Sequence, residues 1–531
     1  MHSPHQSTST LGAVAAAPRK WSARILTPRG VFWTAFAAFF LLTTAWSLSN
    51  PLMASPDEQS HLRKAAATAY GQVFGEEILV DRVVEIPEVY ADADVYLCNA
   101  FQPEVPISTC DDSKIRTMES TTGWVEVPTP AGRYNPVYYA LVSWPALISH
   151  SVASIYAMRI ISGLIASFFL ALGLRALRQA GLPPVAVIAA TAGITPMTAF
   201  LASSINPQSL EISAAFAVWC QMLLIIRATP SQDLGRRMWL LAFIASMFAN
   251  SRGLAPFFLA LIVVSTIVLQ PWRMSWRVIR DKRSWGPIAV TTLATAAASI
   301  WIVATGVLTS SEPAPDPSVT PRWLAMYTLR MTDAYLQHAV GSFGWLHVPL
   351  PMFAVILFLS AYVVSMVLVH VYGTWRDRIV VFASFVITCI AVPVALHASQ
   401  ARSLGIMWQG RYILPMFIGI PVLAAFVLAE RMGRIPAALD RRLTTAWALI
   451  FSAVHCFAVL VEMHRHMLGM SSGWDLRRSE WFPPIPLWLL GIVFIAFTLA
   501  ILVLMNRMGA QRPAGAGAAS ARPAGEEEEA R

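Results

Sequence analysis

Apolar stretches long enough to cross a bilayer alternate along the chain with polar segments of very unequal length. The first, 31–48 (VFWTAFAAFFLLTTAWSL), follows Arg19, Lys20, Arg24 and Arg29, a basic flank that sets a cytoplasmic N-terminus. A polar segment beginning SNPLMASPDE follows it directly, where a signal peptide would present a small-residue cleavage site, so the pattern predicts an uncleaved helix. Further spans are expected at 155–174, 183–204, 209–226, 238–249, 254–270, 286–308, 351–371, 379–397, 412–429, 443–461 and 486–505, twelve in all. The interval 238–270 is short for two spans and long for one, and Asn250-Ser251-Arg252-Gly253 interrupts it. Parity decides in favour of two crossings, because Arg236 and Arg237 before it and Arg273, Arg277, Arg280, Lys282 and Arg283 after it all belong on the cytoplasmic side.

Composition agrees. Of 531 residues 56% are hydrophobic and 13% charged, with a mean hydropathy of +0.55, which excludes a soluble, disordered or collagen-like chain and describes an all-α integral membrane protein. The net charge of +9 could mark a nucleic-acid binder, but 24 of the 39 basic residues fall in the expected cytoplasmic segments, so the excess is topological and no nucleic-acid partner is implied. Three parts follow: a basic segment over 1–29, a multi-pass membrane domain over 30–505, and a tail over 506–531 whose Ala/Gly/Pro-rich run ending in Glu526–Glu529 reads as disordered. Both termini are expected in the cytoplasm of a bacterial plasma membrane. The segment 49–136 is the largest extracytoplasmic loop and holds fourteen of the thirty acidic residues. Cys98 and Cys110 lie in it, where an oxidising exterior allows a structural disulfide.

Chemistry concentrates just beyond the first span. Pro56 favours a helix start, with Asp57 and Glu58 in its first turn and His61 one turn further on. Acidic first turns are often plain caps. Here the pair sits within a few residues of the membrane surface and opens the longest loop, so Asp57, Glu58 and His61 are the candidate catalytic group. Glu58 points about a hundred degrees around the helix from Asp57, which leaves it to hold the acceptor, an arginine or a divalent cation. For a phosphate, Arg402 and Arg411 flank Trp408 and Gln409, and Arg252 interrupts the apolar run. The competing reading of Arg411 is a membrane anchor. Arg159 and Arg252 each need a partner or polar cavity, and Glu211 is a candidate partner. The run Glu462 to His466 (EMHRH) resembles a metal cluster only in composition and reads as outer-rim polar residues. No zinc spacing, phosphate-cradling glycine loop, nucleophile elbow or ATPase motif is present, and no cofactor is called for with certainty.

The first helix followed by PDEQSH, together with YNPVYY (134–139), MRIISG (158–163), SSINPQSLEI (203–212), GSFGWLH (341–347) and WQGRYILP (408–415), resembles the bacterial membrane family catalogued as domain of unknown function 2142 over about 30–505. That family looks like part of the GT-C superfamily of membrane glycosyltransferases, which use polyprenyl-phosphate-linked sugars and place an acidic residue in the first outer loop. The resemblance carries Asp57 and Glu58 to that position. It departs from the family pattern at Gln208 and His347, where acidic residues are common, so no carboxylate role transfers there.

The resemblance implies transfer of a sugar from a polyprenyl-phosphate donor to an envelope glycan or glycolipid acceptor, with membrane lipids around the donor's tail. A transporter or flippase of a lipid-linked or polyanionic precursor competes, since twelve spans and intramembrane arginines would serve it too. Such a protein should contain two related halves, and the sequence has no visible repeat. A non-catalytic envelope assembly protein is the third reading.

Overall fold

The computed structural model describes residues 27–508 apart from 79–80, 119–120, 228–231, 309–317, 404 and 434. The N-terminal segment up to residue 26 and the tail from 509 therefore lie outside the described residues. Helix α1 (Pro28–Ser49) starts where Thr27 accepts the Gly30 N–H at 3.0 Å and Pro28 presets the first turn. It stops before Pro51, which lacks the amide a further turn would need. After a short irregular stretch α2 (Glu58–Ala69) begins. It packs on a three-stranded antiparallel sheet, β1 (Glu76–Ile78), β2 (Asp81–Pro87) and β3 (Trp124–Thr129), in the order β1-β2-β3. Along β2, buried Val84 and Ile86 flank exposed Glu85, the period of two expected of a half-buried strand. Buried Lys64 ties α2 to this sheet region by donating to the carbonyls of Gly132 (2.9 Å) and Val73 (2.5 Å), and burial lowers its pKa to about 8. A disulfide joins Cys98 to Cys110.

The membrane domain follows as α3 (Val152–Gln179), a broken span of α4 (Pro184–Thr191) and α5 (Pro196–Ala202), α6 (Gln208–Arg227), α7 (Leu234–Ala249), α8 (Ala255–Leu269), α9 (Trp272–Arg280), α10 (Lys282–Thr305), α11 (Met352–Tyr372), α12 (Trp375–Ser399), α13 (Gly410–Arg431), α14 (Ala437–Leu468) and α15 (Leu487–Met508). Central α6 is buried along nearly its whole length, and α3, α5, α7, α8 and α13 surround it. The chain bends by 56° between α4 and α5 ahead of Pro196, which lacks the amide a continuous helix would need, and Gly193 in the break lets it close on the Ile418 backbone, 2.6 Å from where a Cβ would fall. Within α12 the backbone widens into a π turn at Ile387–Ala391, just before Pro393, whose missing amide cannot serve a regular turn.

Among the described residues nine helices are long and apolar enough to cross a membrane, or eleven if each bent pair is one span. The second bent pair is α8 and α9, which turn by 120°. The twelfth expected segment is α7, a helix of 16 residues, or about 24 Å, shorter than a hydrocarbon core of about 30 Å. The awkward interval 238–270 is therefore a hairpin of two short helices, with its tip at 250–254.

The two ends of the bundle differ. At one, which we call the basic face, Arg227 donates to the Phe426 carbonyl at 2.5 Å and Arg376 to those of Val268 and Gln270, while Trp272 and Trp276 of α9 stack at 5.5 Å with Arg280 over the second ring. At the other, the loop face, gather the end of α1, α2 and its sheet, the α7–α8 tip, a small hairpin of β4 (Ser342–Phe343) and β5 (Val348–Pro349), and the start of α13.

Candidate functional site

At the loop face the backbone from Asn50 to Asp57 is non-helical, and Met53 and Asp57 take positive φ values of 59° and 65°. Side chains other than glycine avoid that region, aspartate less than most, and it recurs at functional sites. Asp57 occupies the N-cap of α2, and its carbonyl accepts the His61 amide at 3.1 Å, but its side chain caps nothing. Instead Oδ2 accepts from Nη2 of Arg411 at 2.5 Å. The two partners are unlike: the Arg411 side chain is 1% exposed, that of Asp57 48%. What burial there is acts to raise the Asp57 pKa, but Arg411, with Arg252 behind it, outweighs that and holds the carboxyl below its ordinary value.

Arg411 is set by its own segment. Its Nε donates to Oε1 of Gln409 at 2.5 Å and its carbonyl accepts from Nε2 of Gln208 at 3.3 Å. Gly410 beside it lies so close to the helix Thr332–Gly341 that a Cβ there would fall 2.0 Å from the Tyr335 carbonyl oxygen, so only glycine lets the turn seat at this depth. Buried His61 meets the Tyr139 hydroxyl through Nδ1 at 2.8 Å. Burial first, then Arg252 and Arg411, lowers the His61 pKa to about 3 against the opposing pull of Asp57, so at neutral pH the ring is uncharged.

Glu58 faces away from this opening. Its carboxylate accepts from Nε and Nη2 of Arg159 at 2.7 and 2.5 Å and from the Ile205 amide at 3.1 Å. Arg159 also donates to the carbonyls of Ser47, Asn50 and Pro51. Side-chain exposures of 0% and 2% seal the pair. The catalytic assignment expected for Glu58 is corrected accordingly: of the three partners considered it has the arginine, and both oxygens are occupied.

Arg252, at the α7–α8 tip, lies 3.5 Å from Glu211 and over the rings of Tyr134 (5.9 Å) and Tyr412 (5.3 Å). These residues and Gln400 are the polar part of a cleft otherwise lined by apolar side chains such as Leu254, Phe258, Leu308, Leu396 and Trp408, of about 810 Å³ including its mouth. Arg402 does not join them. It is exposed on the turn after α12 and takes no part in the hydrogen bonds of the group, which corrects the phosphate role expected for it. Among the described residues no group of three or more His, Cys, Asp or Glu side chains is disposed to hold a metal ion.

Every segment on which the family resemblance rests converges here. Tyr138 donates to Ser162 and accepts the Asn206 amide at 2.8 Å, the Asn206 side chain reaches the Pro56 carbonyl, and Trp345 donates to the Met53 carbonyl at 3.2 Å. Tyr138, Tyr139 and Asn206 went unnoticed in the sequence, although the quoted motifs contain all three. The outer-rim reading of Glu462 to His466 is also corrected. These residues are buried because the disulfide-closed segment folds over the end of α14: His466 bonds Glu462 at 3.1 Å, and Arg465 donates to the carbonyls of Asn99 and Gln102 at 2.5 and 3.0 Å.

A family model described as "Predicted membrane protein (DUF2142)" matches residues 40–420. No curated protein matches the chain. Among solved structures, the crystal structure of ArnT from Cupriavidus metallidurans bound to undecaprenyl phosphate aligns at 14% identity over 89% of this chain and 76% of that one, with a TM-score of 0.40, too low for its chemistry to be carried over.

Proposed function

The chain belongs to the DUF2142 family of predicted membrane proteins, and from the site it builds we propose a glycosyltransferase that moves a sugar from a polyprenyl-phosphate donor to an extracytoplasmic envelope acceptor. The observation that carries this reading is the Asp57–Arg411 pair: a half-exposed carboxylate on a buried guanidinium that lies over Tyr412, a ring that lines the cleft together with Arg252. The loop face would then be the outer face of a bacterial plasma membrane, with both termini cytoplasmic. The donor's tail lies in the cleft among Phe258, Leu308 and Leu396. Its phosphate meets Arg411 and Arg252, guanidiniums suited to paired hydrogen bonds with phosphate oxygens.

The order of events follows from the resting pair. Bound to Arg411, Asp57 is a weak base. An arriving phosphate competes for the guanidinium and frees the carboxylate, whose pKa then rises. Asp57 takes the proton of the acceptor hydroxyl as that oxygen attacks the anomeric carbon, the bond from that carbon to the phosphate oxygen breaks, and the electron pair leaves on the lipid phosphate, where Arg411 and Arg252 stabilise it. His61, neutral and bonded to Tyr139, positions the turn that carries Asp57.

The test is the purified protein in lipid, supplied with a panel of radiolabelled polyprenyl-phosphate sugars and an envelope lipid extract as acceptor. Label transferred by the wild type and lost in Asp57→Asn is expected. Transfer that survives that substitution overturns the assignment, and binding of donors with movement across vesicles but no transfer returns the transporter reading.

A further inference from the structure

At the basic face, opposite Asp57, three neighbouring helices carry arginines within about 8 Å of depth of one another. On α1 and α3, Phe32 meets Phe168 at 5.8 Å; on α3 and α7, Phe169 stacks on Phe243 at 5.9 Å. From these contacts the chain directions determine what lies toward the basic face. Arg29 is three residues beyond Phe32, about 5 Å along its axis, while Arg175 and Arg236 are seven residues beyond Phe168 and Phe243, about 10 Å. The charges of Arg236 and Arg29 both reach Arg175. Among the described residues none of the three is ion-paired to a carboxylate, and the buried Nε of Arg175 has no hydrogen-bond partner.

Arg29 and Arg236 are open to solvent, and among the described residues no carboxylate pairs with any of the three, so an anion placed among them would relieve their mutual repulsion and meet the unpaired Nε of Arg175. What surrounds them says which kind. Trp33 lies one turn deeper than Arg29 and Trp239 one turn deeper than Arg236, 63% and 53% exposed, and Phe243, one turn below Trp239, is open at 45%. Indoles at this depth mark the boundary between headgroups and acyl chains, and exposed rings beneath them offer an apolar wall. We infer that Arg29, Arg175 and Arg236 form a binding site for the headgroup of an anionic phospholipid, with its phosphate among the guanidiniums and its chains along α1, α3 and α7. The site is independent of the transfer reaction proposed above.

Nanodiscs of equal phosphatidylglycerol and phosphatidylethanolamine content, followed by detergent extraction and native mass spectrometry, test it without any activity assay. The wild type is expected to retain phosphatidylglycerol over phosphatidylethanolamine on the order of tenfold, given three arginines at the membrane surface. Arg175→Gln with Arg236→Gln should bring the ratio near one, whereas Arg273→Gln with Arg277→Gln on α9 should leave it. Equal retention of the two lipids by the wild type overturns the proposal and needs no variant to fold. Enrichment that survives the α3 and α7 substitutions overturns the location. Displacement of the lipid by millimolar inorganic phosphate at constant ionic strength would make this a site for free anions instead.

Discussion

Adjacent residues make opposite kinds of ion pair. Glu58 and Arg159 are sealed from solvent, with bonds from the guanidinium to three backbone carbonyls and from the carboxylate to an amide. Asp57 and Arg411 have one buried and one half-exposed member. A charge pair in a low-dielectric interior gains by its own attraction only what desolvation has removed, so it persists when every remaining lone pair and proton is matched. The Glu58 pair meets that condition and fastens the end of α1 to α3. Asp57 does not. Its open side leaves room for a ligand to exchange with it, and the exchange costs little because water already competes there. Of two neighbouring carboxylates, the more deeply paired one is the fastener, and the less protected one is the working group of the reaction proposed above.

The contrast can be broken most severely at the sealed pair. Glu58→Gln strands the Arg159 charge, and a loss of about 3–5 kcal/mol of stability is expected, read as a fall in thermal midpoint and in the folded fraction recovered from membranes. A midpoint near that of the wild type would remove the fastening role. Next in size, Asp57→Asn should fold normally and lose transfer by about a hundredfold or more. Equal loss of folding in both variants would erase the distinction. Third is acid stability. The pKa of His61 is about 3 in the folded protein against an ordinary 6.5, so as pH falls the unfolded chain takes the proton first. Its stability contribution is complete above about pH 6.5 and falls below it, by about 2 kcal/mol near pH 5. His61→Gln should flatten thermal midpoints across that window, and an unchanged slope would show that the ring is already charged or exposed. The smallest effect sharpens the open pair: Arg411→Lys keeps the charge but loses the forked geometry, and about a tenfold drop in transfer is expected, with insertion unchanged. Wild-type turnover would leave Arg411 as an anchor.

Much of the scaffold was legible because its signal is local. A span announces itself by a continuous apolar run, the interruption at Asn250 to Gly253 was visible as polar residues in the wrong place, and Pro56 with two acids marked the start of α2. Pairings were not legible. The helical period separates Asp57 from Glu58 around the axis, yet it cannot say which one meets Arg159 and which Arg411, because those partners lie 101 and 354 positions away. Arg402 and Arg411 look equivalent on either side of one short segment, and only the turn after α12 sends the first outward. The burial of Glu462 to His466 depends on a loop closing over them from the far end of the chain, which no pattern within α14 could reveal.

The reach of the Asp57–Arg411 contact has a bearing on biogenesis. As the polypeptide emerges from the ribosome and its helices enter the membrane in order, Glu58 can find Arg159 and the Ile205 amide once the early helices are in place. Asp57 must wait for α13, more than three hundred and fifty residues later. The fastener therefore forms on a half-made protein, while the working group is completed only when nearly all of the chain has been inserted. Translation order thus withholds the pair from any ligand until the bundle around it is closed.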